Sequence, residues 1–178
     1  MPRPNINEIV GNQDFATLFR WEVIFSELPN AIANAGLYNA TALNTHAISS
    51  EYPRFTNDEI EVGIHGHKVY QAGIRTYDPI TLTLIEDNNA LIQKFIRDWG
   101  ALLWTPGTGT QANKSDYVCR SIILRPLKND NAGLFTYTLK NCWMQSHTIG
   151  NPDGAANELI RPEITLRFDY FLTEGQSV

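Results

Sequence analysis

Residues 59–73 read Glu-Ile-Glu-Val-Gly-Ile-His-Gly-His-Lys-Val-Tyr-Gln-Ala-Gly, and residues 77–87 read Tyr-Asp-Pro-Ile-Thr-Leu-Thr-Leu-Ile-Glu-Asp. Residues 90–103 follow as Ala-Leu-Ile-Gln-Lys-Phe-Ile-Arg-Asp-Trp-Gly-Ala-Leu-Leu. In the first stretch Ile60, Val62 and Ile64 alternate with Glu61 and Gly63, and Val69 and Tyr70 resume after His65-Gly66-His67-Lys68. Two period-two runs around a Gly predict a hairpin, because Gly takes positive φ without steric cost. Gly73 is expected to close its second strand. Ile80, Leu82 and Leu84 alternate with Thr81 and Thr83, a strand with a β-favouring Thr face. Asp87, Asn88 and Asn89 offer capping oxygens for a helix from about Ala90 to Leu103. Leu91, Ile92, Phe95, Ile96, Trp99, Leu102 and Leu103 form one apolar stripe on it, which makes Leu91, Phe95 and Trp99 a core helix. Pro106 prevents its continuation.

Outward from this run, the chain reads as β-structure. Phe19, Trp21, Val23 and Phe25 alternate with Arg20, Glu22 and Ile24, a half-buried strand. A loop opened by Pro29 covers Leu28 to Gly36, and Tyr38 to Leu43 is a candidate short strand. Thr105 to Ser115 and Ser146 to Asn157 are Gly-rich polar loops. Val118 to Leu127 and Leu134 to Trp143 form a second hairpin around Asn129-Asp130-Asn131. If its turn centres between Asp130 and Asn131, Leu124 faces Tyr137, Ile122 faces Leu139 and Val118 faces Trp143 on one side. Ser121 then faces Lys140 on the other. A one-residue slip would scramble that sorting, so this register is favoured. Ile164, Leu166, Phe168 and Tyr170 alternate with Glu163, Thr165, Arg167 and Asp169 as a last strand. The sum is a mainly β fold, a sandwich or barrel of two antiparallel sheets with one packed α-helix.

The 178 residues suit one domain, 1–178, with residues 1–13 a polar arm that orders against a neighbour. Charged residues are only 19%, which leaves neutral surface for contact with other chains. A net charge of −5 without any basic cluster argues against nucleic acid as a tightly held partner. Met1-Pro-Arg-Pro-Asn5 lacks the apolar stretch of a signal peptide, and no window approaches the ~20 apolar residues of a membrane span. The expectation is a soluble protein made in the cytoplasm, without a membrane partner.

Candidate chemistry is sparse. His65 and His67 flank Gly66 in a turn with no third ligand near in sequence, which favours turn surface over a metal site. Gly107-Thr-Gly-Thr110 with Lys114-Ser115 imitates a phosphate loop. However, Asn113 stands where that loop needs Gly, and a helix precedes it where a strand is required. The acid pairs Asp58-Glu59 and Glu86-Asp87 read as turn or cap residues. No nucleophile–base set carries a supporting signature. The reading is therefore not an enzyme and no cofactor. Cys119 and Cys142 lack zinc spacing, but the predicted register sets them opposite each other, within disulfide range. They are a candidate cross-strand thiol pair, for which a cytoplasmic origin favours the reduced state.

The order of these elements resembles the tail-tube proteins of contractile-tailed bacteriophages. Leu18-Phe-Arg-Trp-Glu-Val23 looks like the first strand of that family, and Ala40-Thr-Ala-Leu43 like the segment before its long loop. Ile60-Glu-Val-Gly63 to Val69-Tyr-Gln-Ala-Gly73 looks like its hairpin, followed by Tyr77-Asp-Pro-Ile-Thr-Leu-Thr83 and the helix with Phe95 and Trp99. Leu139-Lys-Asn-Cys-Trp143 and Ile164-Thr-Leu-Arg-Phe-Asp-Tyr170 resemble its last two strands. The segments Ser26 to Tyr38 and Thr105 to Asp116 depart from the pattern, and a Pro common after the position of Leu43 is absent.

The resemblance implies a structural virion protein, assembled in the host cytoplasm and located in the tail tube. Hexameric rings would stack into the tube, with the inner sheets joined into one β-barrel. Its partners would be further copies of itself, the tail sheath protein, and baseplate and tail-terminator proteins. DNA would pass through the lumen on its way into the host without specific binding, helped by a net negative wall. An alternative within the same fold is the tube protein of a contractile injection or type VI secretion system, or a baseplate tube initiator. A third reading, a β-barrel ligand-binding protein, predicts a monomer with convergent polar groups in a pocket. The hairpin weighs most here, because its apolar residues find no second partner strand in one chain. Ile60, Val62, Ile64, His65, Gly66, His67, Val69 and Tyr70 are read as an assembly element that reaches toward a neighbouring subunit or ring.

Overall fold

The computed structural model describes residues 18–33, 38, 40–150 and 158–176. The expected arm 1–13 lies outside them. The strands are β1 (Trp21–Glu27), β2 (Ala47–Ser50), β3 (Phe55–Ile64), β4 (His67–Tyr77), β5 (Ile80–Leu84), β6 (Trp104–Thr105), β7 (Thr110–Gln111), β8 (Cys119–Pro126), β9 (Tyr137–Thr148), β10 (Glu163–Arg167) and β11 (Tyr170–Thr173). Among the described residues the helices are α1 (Asn30–Ala33), α2 (Ala40–Thr45), α3 (Leu91–Leu103) and α4 (Lys114–Tyr117). The fold is mainly β, as expected, and every strand pairing is antiparallel. The strands run β1-β8-β9-β10-β5-β2, with β11 also on β9. The long β9 is shared: β8 and β11 pair with its first half, and β10 pairs with its second.

One core lies between these strands and α3. Val23, Phe25, Ile80, Leu82, Leu84, Ile122, Leu124, Leu139, Ile164 and Leu166 turn inward, and α3 adds Ile92, Phe95, Ile96 and Trp99. The helix stripe is thus read correctly, with Leu91, Leu102 and Leu103 only partly buried at its margins. The Phe95 ring is the hub, with Phe25, Tyr38 and Trp99 at centroid distances of 6.1, 5.5 and 5.3 Å.

The start of α3 is capped by Asp87, as expected, and also by Glu86, which was not among the expected capping residues Asp87, Asn88 and Asn89. Ala90 takes a left-handed conformation at the N-cap and supplies no side-chain bond. Asp87 Oδ1 accepts from the Leu91 N–H at 3.0 Å, and Glu86 reaches further, accepting from Ile92 N–H at 2.9 Å and Gln93 N–H at 2.8 Å. These bonds satisfy donors that a helix start leaves orphaned, and both carboxylates favour the positive end of the helix dipole. The Asp87 carboxyl is held below its usual range chiefly by the Leu91 N–H. Glu86→Ala is expected to cost about 1–2 kcal/mol, a fall of roughly 4 °C in Tm, read by thermal circular dichroism.

Four segments differ from the sequence reading. Residues 40–45 form α2 where a strand was expected, because the segment serves as a cover for an edge strand. Leu43 is fully buried, and Asn44 Oδ1 accepts the Phe25 N–H at 3.3 Å, closing part of the open side of β1. β4 runs past Gly73 to Tyr77, and Gly73-Ile74 form a bulge in β4 opposite Asp58. A Cβ there would sit 3.0 Å from the Asp58 carbonyl oxygen, so Gly fits the bulge and does not end the strand. β9 continues to Thr148, into the segment read as a loop, because β10 pairs with that extension. The single last strand is two, β10 and β11, divided at Phe168-Asp169.

The β8–β9 register agrees with the expectation at Cys119↔Cys142, Ser121↔Lys140, Ile122↔Leu139 and Leu124↔Tyr137. The sorting of faces changes at Asn141, which adopts φ 55°. That left-handed residue reverses the alternation, so Cys142 and Met144 are buried and Trp143 is not. The expected Val118–Trp143 pair is absent, and Val118 is instead the residue that ends α4.

Candidate functional site: an unpartnered hairpin

The hairpin of β3 and β4 leaves the body beside the N-terminal end of β5. Its turn is His65-Gly66, with φ 47° and 82°, the pair of positive angles a two-residue hairpin turn requires. The ladder runs through Glu59↔Ala72, Ile60↔Gln71, Val62↔Val69 and Ile64↔His67. Opposed residues share a face, so Ile60, Val62, Ile64, His67, Val69 and Gln71 lie on one side. Glu59, Glu61, Gly63, Lys68, Tyr70 and Ala72 lie on the other, where Lys68 Nζ meets Glu61 Oε1 at 2.9 Å.

The base of the hairpin is anchored. Tyr77 packs against Phe168 and Phe171 at 6.1 and 5.5 Å, Phe55 packs against Phe171 at 6.1 Å, and Arg75 stacks over Phe55 at 4.0 Å. Beyond that base, β3 and β4 pair with each other and with no other described strand. Every residue of β3 is exposed, and Ile60, Ile64, Val69 and Tyr70 stand at 50, 50, 44 and 56% exposure. Phe55 and Tyr77 anchor the base from the Glu59–Glu61 side, and nothing described covers the opposite, aliphatic face. Among the described residues both outer strand edges and the aliphatic face of this one element stand open, the kind of surface that partners cover in other proteins.

The remaining candidates fall elsewhere. Phe95 and Trp99 are fully buried and Leu91 is partly buried, all in packing roles. His65 and His67 sit at the hairpin tip, and among the described residues no group of three His, Cys, Asp or Glu is placed to hold a metal. Residues 104–111 form a small hairpin, β6 with β7, and not a phosphate loop. An open cleft of about 530 Å³ is lined by Glu27, Lys114, Arg120, Lys140, Asn141 and Tyr170. Its Lys114 is already neutralised by both Asp169 oxygens at 2.6 Å. No helix among the described residues is long and apolar enough to cross a membrane.

Cys119 and Cys142 are buried free thiols. Burial pushes the Cys119 thiol up to about 12, and it raises the Cys142 thiol as well. Thiols so placed stay protonated and unreactive. Native protein is expected to resist a chromogenic disulfide reagent at pH 8, whereas denatured, unreduced protein titrates as two thiols. A titre of zero would mean that the pair had oxidised.

The geometry has known counterparts. No protein-family model matches the sequence, and no curated protein matches it. Among solved structures, the fold is the one found in tube-like proteins of contractile injection systems. A chain of the sheath/tube terminator of the extracellular contractile injection system PVC, in the extended state, superposes with a TM-score of 0.67 at 18% identity over 92% of this chain and 99% of that one. A chain of the PVC sheath-tube complex gives 0.66 at 17% identity, over 96% and 97% of the two chains. A chain of the anti-feeding prophage (AFP) baseplate, solved by cryo-EM with 6-fold symmetrisation, gives 0.66 at 15% identity, over 92% and 97%.

Proposed function

We propose that this protein is a structural tube subunit of a contractile machine: hexameric rings form and stack into a hollow tube. The observation that carries the reading is the exposed β3–β4 hairpin, whose outer edges and aliphatic face nothing among the described residues covers. A ring of copies would pair these edges, since each hairpin edge finds a neighbouring strand and the sheets close into a barrel without open edges. The 6-fold symmetrised AFP baseplate supports six copies per ring. Sheath, baseplate and terminator proteins are the expected partners, in line with the assemblies in which the fold relatives were solved.

The injection-system setting is favoured over a phage virion because the fold relatives come from AFP and PVC. The order of sequence motifs supports the phage tail tube as the second reading, in which the lumen conducts DNA and a chain of net charge −5 lets the phosphates slide. Flanking genes separate the two, with capsid genes marking a phage and their absence beside a sheath gene marking an injection system. Purified protein is expected to form rings and stacked tubes as concentration rises, seen by sedimentation velocity and negative-stain microscopy. A monomer across the whole concentration range would overturn the reading.

A further inference from the structure

Cys119 and Cys142 are a nucleophilic pair that the tube reading does not use. They sit in the interior of the sheet, on β8 and β9, which are flanked by β1 on one side and by β10 and β11 on the other. The register sets them directly opposite each other. Opposed residues of an antiparallel pair point to one face with Cα atoms about 4.5–5.5 Å apart, inside the roughly 4.4–6.8 Å that a disulfide spans. Here that face is the core, and both side chains are fully buried as free thiols. The left-handed Asn141 turns Cys142 inward by reversing the alternation of β9. Exchange between a thiol and a disulfide requires a thiolate and a path by which the reagent reaches it. The folded subunit withholds both. With its thiol pushed up to about 12, Cys119 carries roughly a thousandfold less thiolate at pH 8 than a cysteine of ordinary pKa, about 8.5. Burial, and then the neighbouring Cys119, raise Cys142 as well. In the unfolded chain both groups meet solvent and titrate near the ordinary value.

We propose that Cys119 and Cys142 are a disulfide site whose state is decided while the chain folds. A subunit folded in a reducing medium keeps both thiols, one folded with a low-molecular-weight disulfide is stapled across β8 and β9, and burial then preserves either state. The oxidant is the small disulfide. One cysteine of the unfolded chain loses its proton and attacks it, which forms a mixed disulfide and releases one small thiolate that takes up that proton. As β8 and β9 pair, the other cysteine gives up its proton and attacks the protein sulfur of the mixed bond, and the second small thiol leaves. Two protein thiols are oxidised by two electrons in all, and one small disulfide is reduced to two thiols. The bond closes the loop between residues 119 and 142 at the middle of the sheet. It is therefore expected to raise Tm by about 5–10 °C. The inference stands apart from the tube reading, because it concerns the single subunit.

The test compares folding chain with folded chain. Full-length protein is unfolded in urea and refolded by dilution into glutathione disulfide or into reduced glutathione. Native protein is held in the same two buffers for the same time. Thiol titre in denaturant without reductant, intact mass and Tm are read on all four samples. Protein refolded with glutathione disulfide is expected to show no thiol, a mass lower by two hydrogens and a raised Tm. Native protein in that buffer is expected to keep two thiols, reacting more than about a hundredfold more slowly. The stapled form, moved into reduced glutathione, is expected to keep its bond. Cys142→Ala refolded in either buffer should show no rise in Tm. Should refolding from urea fail, expression in hosts with oxidising and reducing cytoplasm gives the same comparison, with the bond expected only in the first. Chain folded under oxidising conditions that regains native circular dichroism yet keeps two thiols, or carries glutathione, would overturn the pairing. Native protein that oxidises as fast as the refolding chain would overturn the preservation by burial.

Discussion

Trp99→Ala is expected to destabilise the folded subunit by about 5 kcal/mol. Removing a buried Trp side chain costs about 3–5 kcal/mol in lost transfer energy and residual cavity. Trp99 is fully buried and packs on Phe95, which itself touches Phe25 and Tyr38, so the cavity opens at the hub where α3 meets the sheet. A further cost comes from the indole N–H, which donates to the Tyr117 carbonyl at 2.8 Å and holds the end of α4. The Ala variant leaves that carbonyl without this partner, a cost of about 1 kcal/mol or more. Against a total stability of roughly 5–15 kcal/mol this is a large share, and it corresponds to a fall in Tm of about 10–20 °C. Trp99→Phe keeps an aromatic ring but loses the hydrogen bond, and is expected to fall between the two. Trp104→Ala is the control, because Trp104 is half exposed and should shift stability by about 0.5 kcal/mol or less. Urea titration of all three followed by far-UV circular dichroism reads the series. A Trp99→Ala midpoint close to that of Trp104→Ala would refute the hub assignment.

The importance of Trp99 was legible because one helix carries its whole apolar face in consecutive sequence. The β8–β9 register was legible for a related reason: pairing across a tight turn is local, and only one register sorts Ile122, Leu124 and Leu139 together. What the sequence concealed depends on contacts between distant residues. Asn141 breaks the alternation of β9 from a left-handed conformation, and its side-chain amide donates to Asp169, which also holds Lys114. Burial raises the Asp169 carboxyl, but the Lys114 ammonium and the Asn141 amide outweigh it and hold the group below its usual range. Those three residues lie far apart in the chain, and their network stands where β10 gives way to β11. No alternation of Phe168 and Tyr170 could reveal that break. Residues 40–45 misled for a different reason, since α2 is fixed by Leu43 and Asn44 covering β1.

The same division holds outside the core. The hairpin announced itself, because an alternating apolar run with no second partner strand is visible in sequence. Its true length was not, because the Gly73-Ile74 bulge opposite Asp58 disguises the pairing of Phe55 with Tyr77 and makes Gly73 look like a terminus.

Ile60→Asp/Val62→Asp is expected to abolish tube formation while leaving the subunit folded. Both residues are exposed in the single chain, so the monomer loses little packing and its stability should change by no more than about 1 kcal/mol. In a tube the same positions would be covered, and a carboxylate without a partner in an apolar contact is strongly disfavoured. The penalty recurs at every subunit, so even a modest cost per contact removes the polymer at concentrations where wild-type protein assembles. Ile60→Thr/Val62→Thr separates this effect from strand disruption. Thr retains the branched shape that suits a strand but offers less apolar surface, so assembly should persist at a raised threshold. Glu61→Gln on the opposite face loses only an exposed ion pair with Lys68, worth at most about 1 kcal/mol, and should assemble much as wild type. Pelleting assays across a concentration series, with thermal melts on the same samples, distinguish the cases. Normal tubes from a folded Asp variant would show that the aliphatic face is not an assembly surface. Equal failure of the Asp and Gln variants would mean that assembly depends on hairpin charge rather than on burial of Ile60 and Val62.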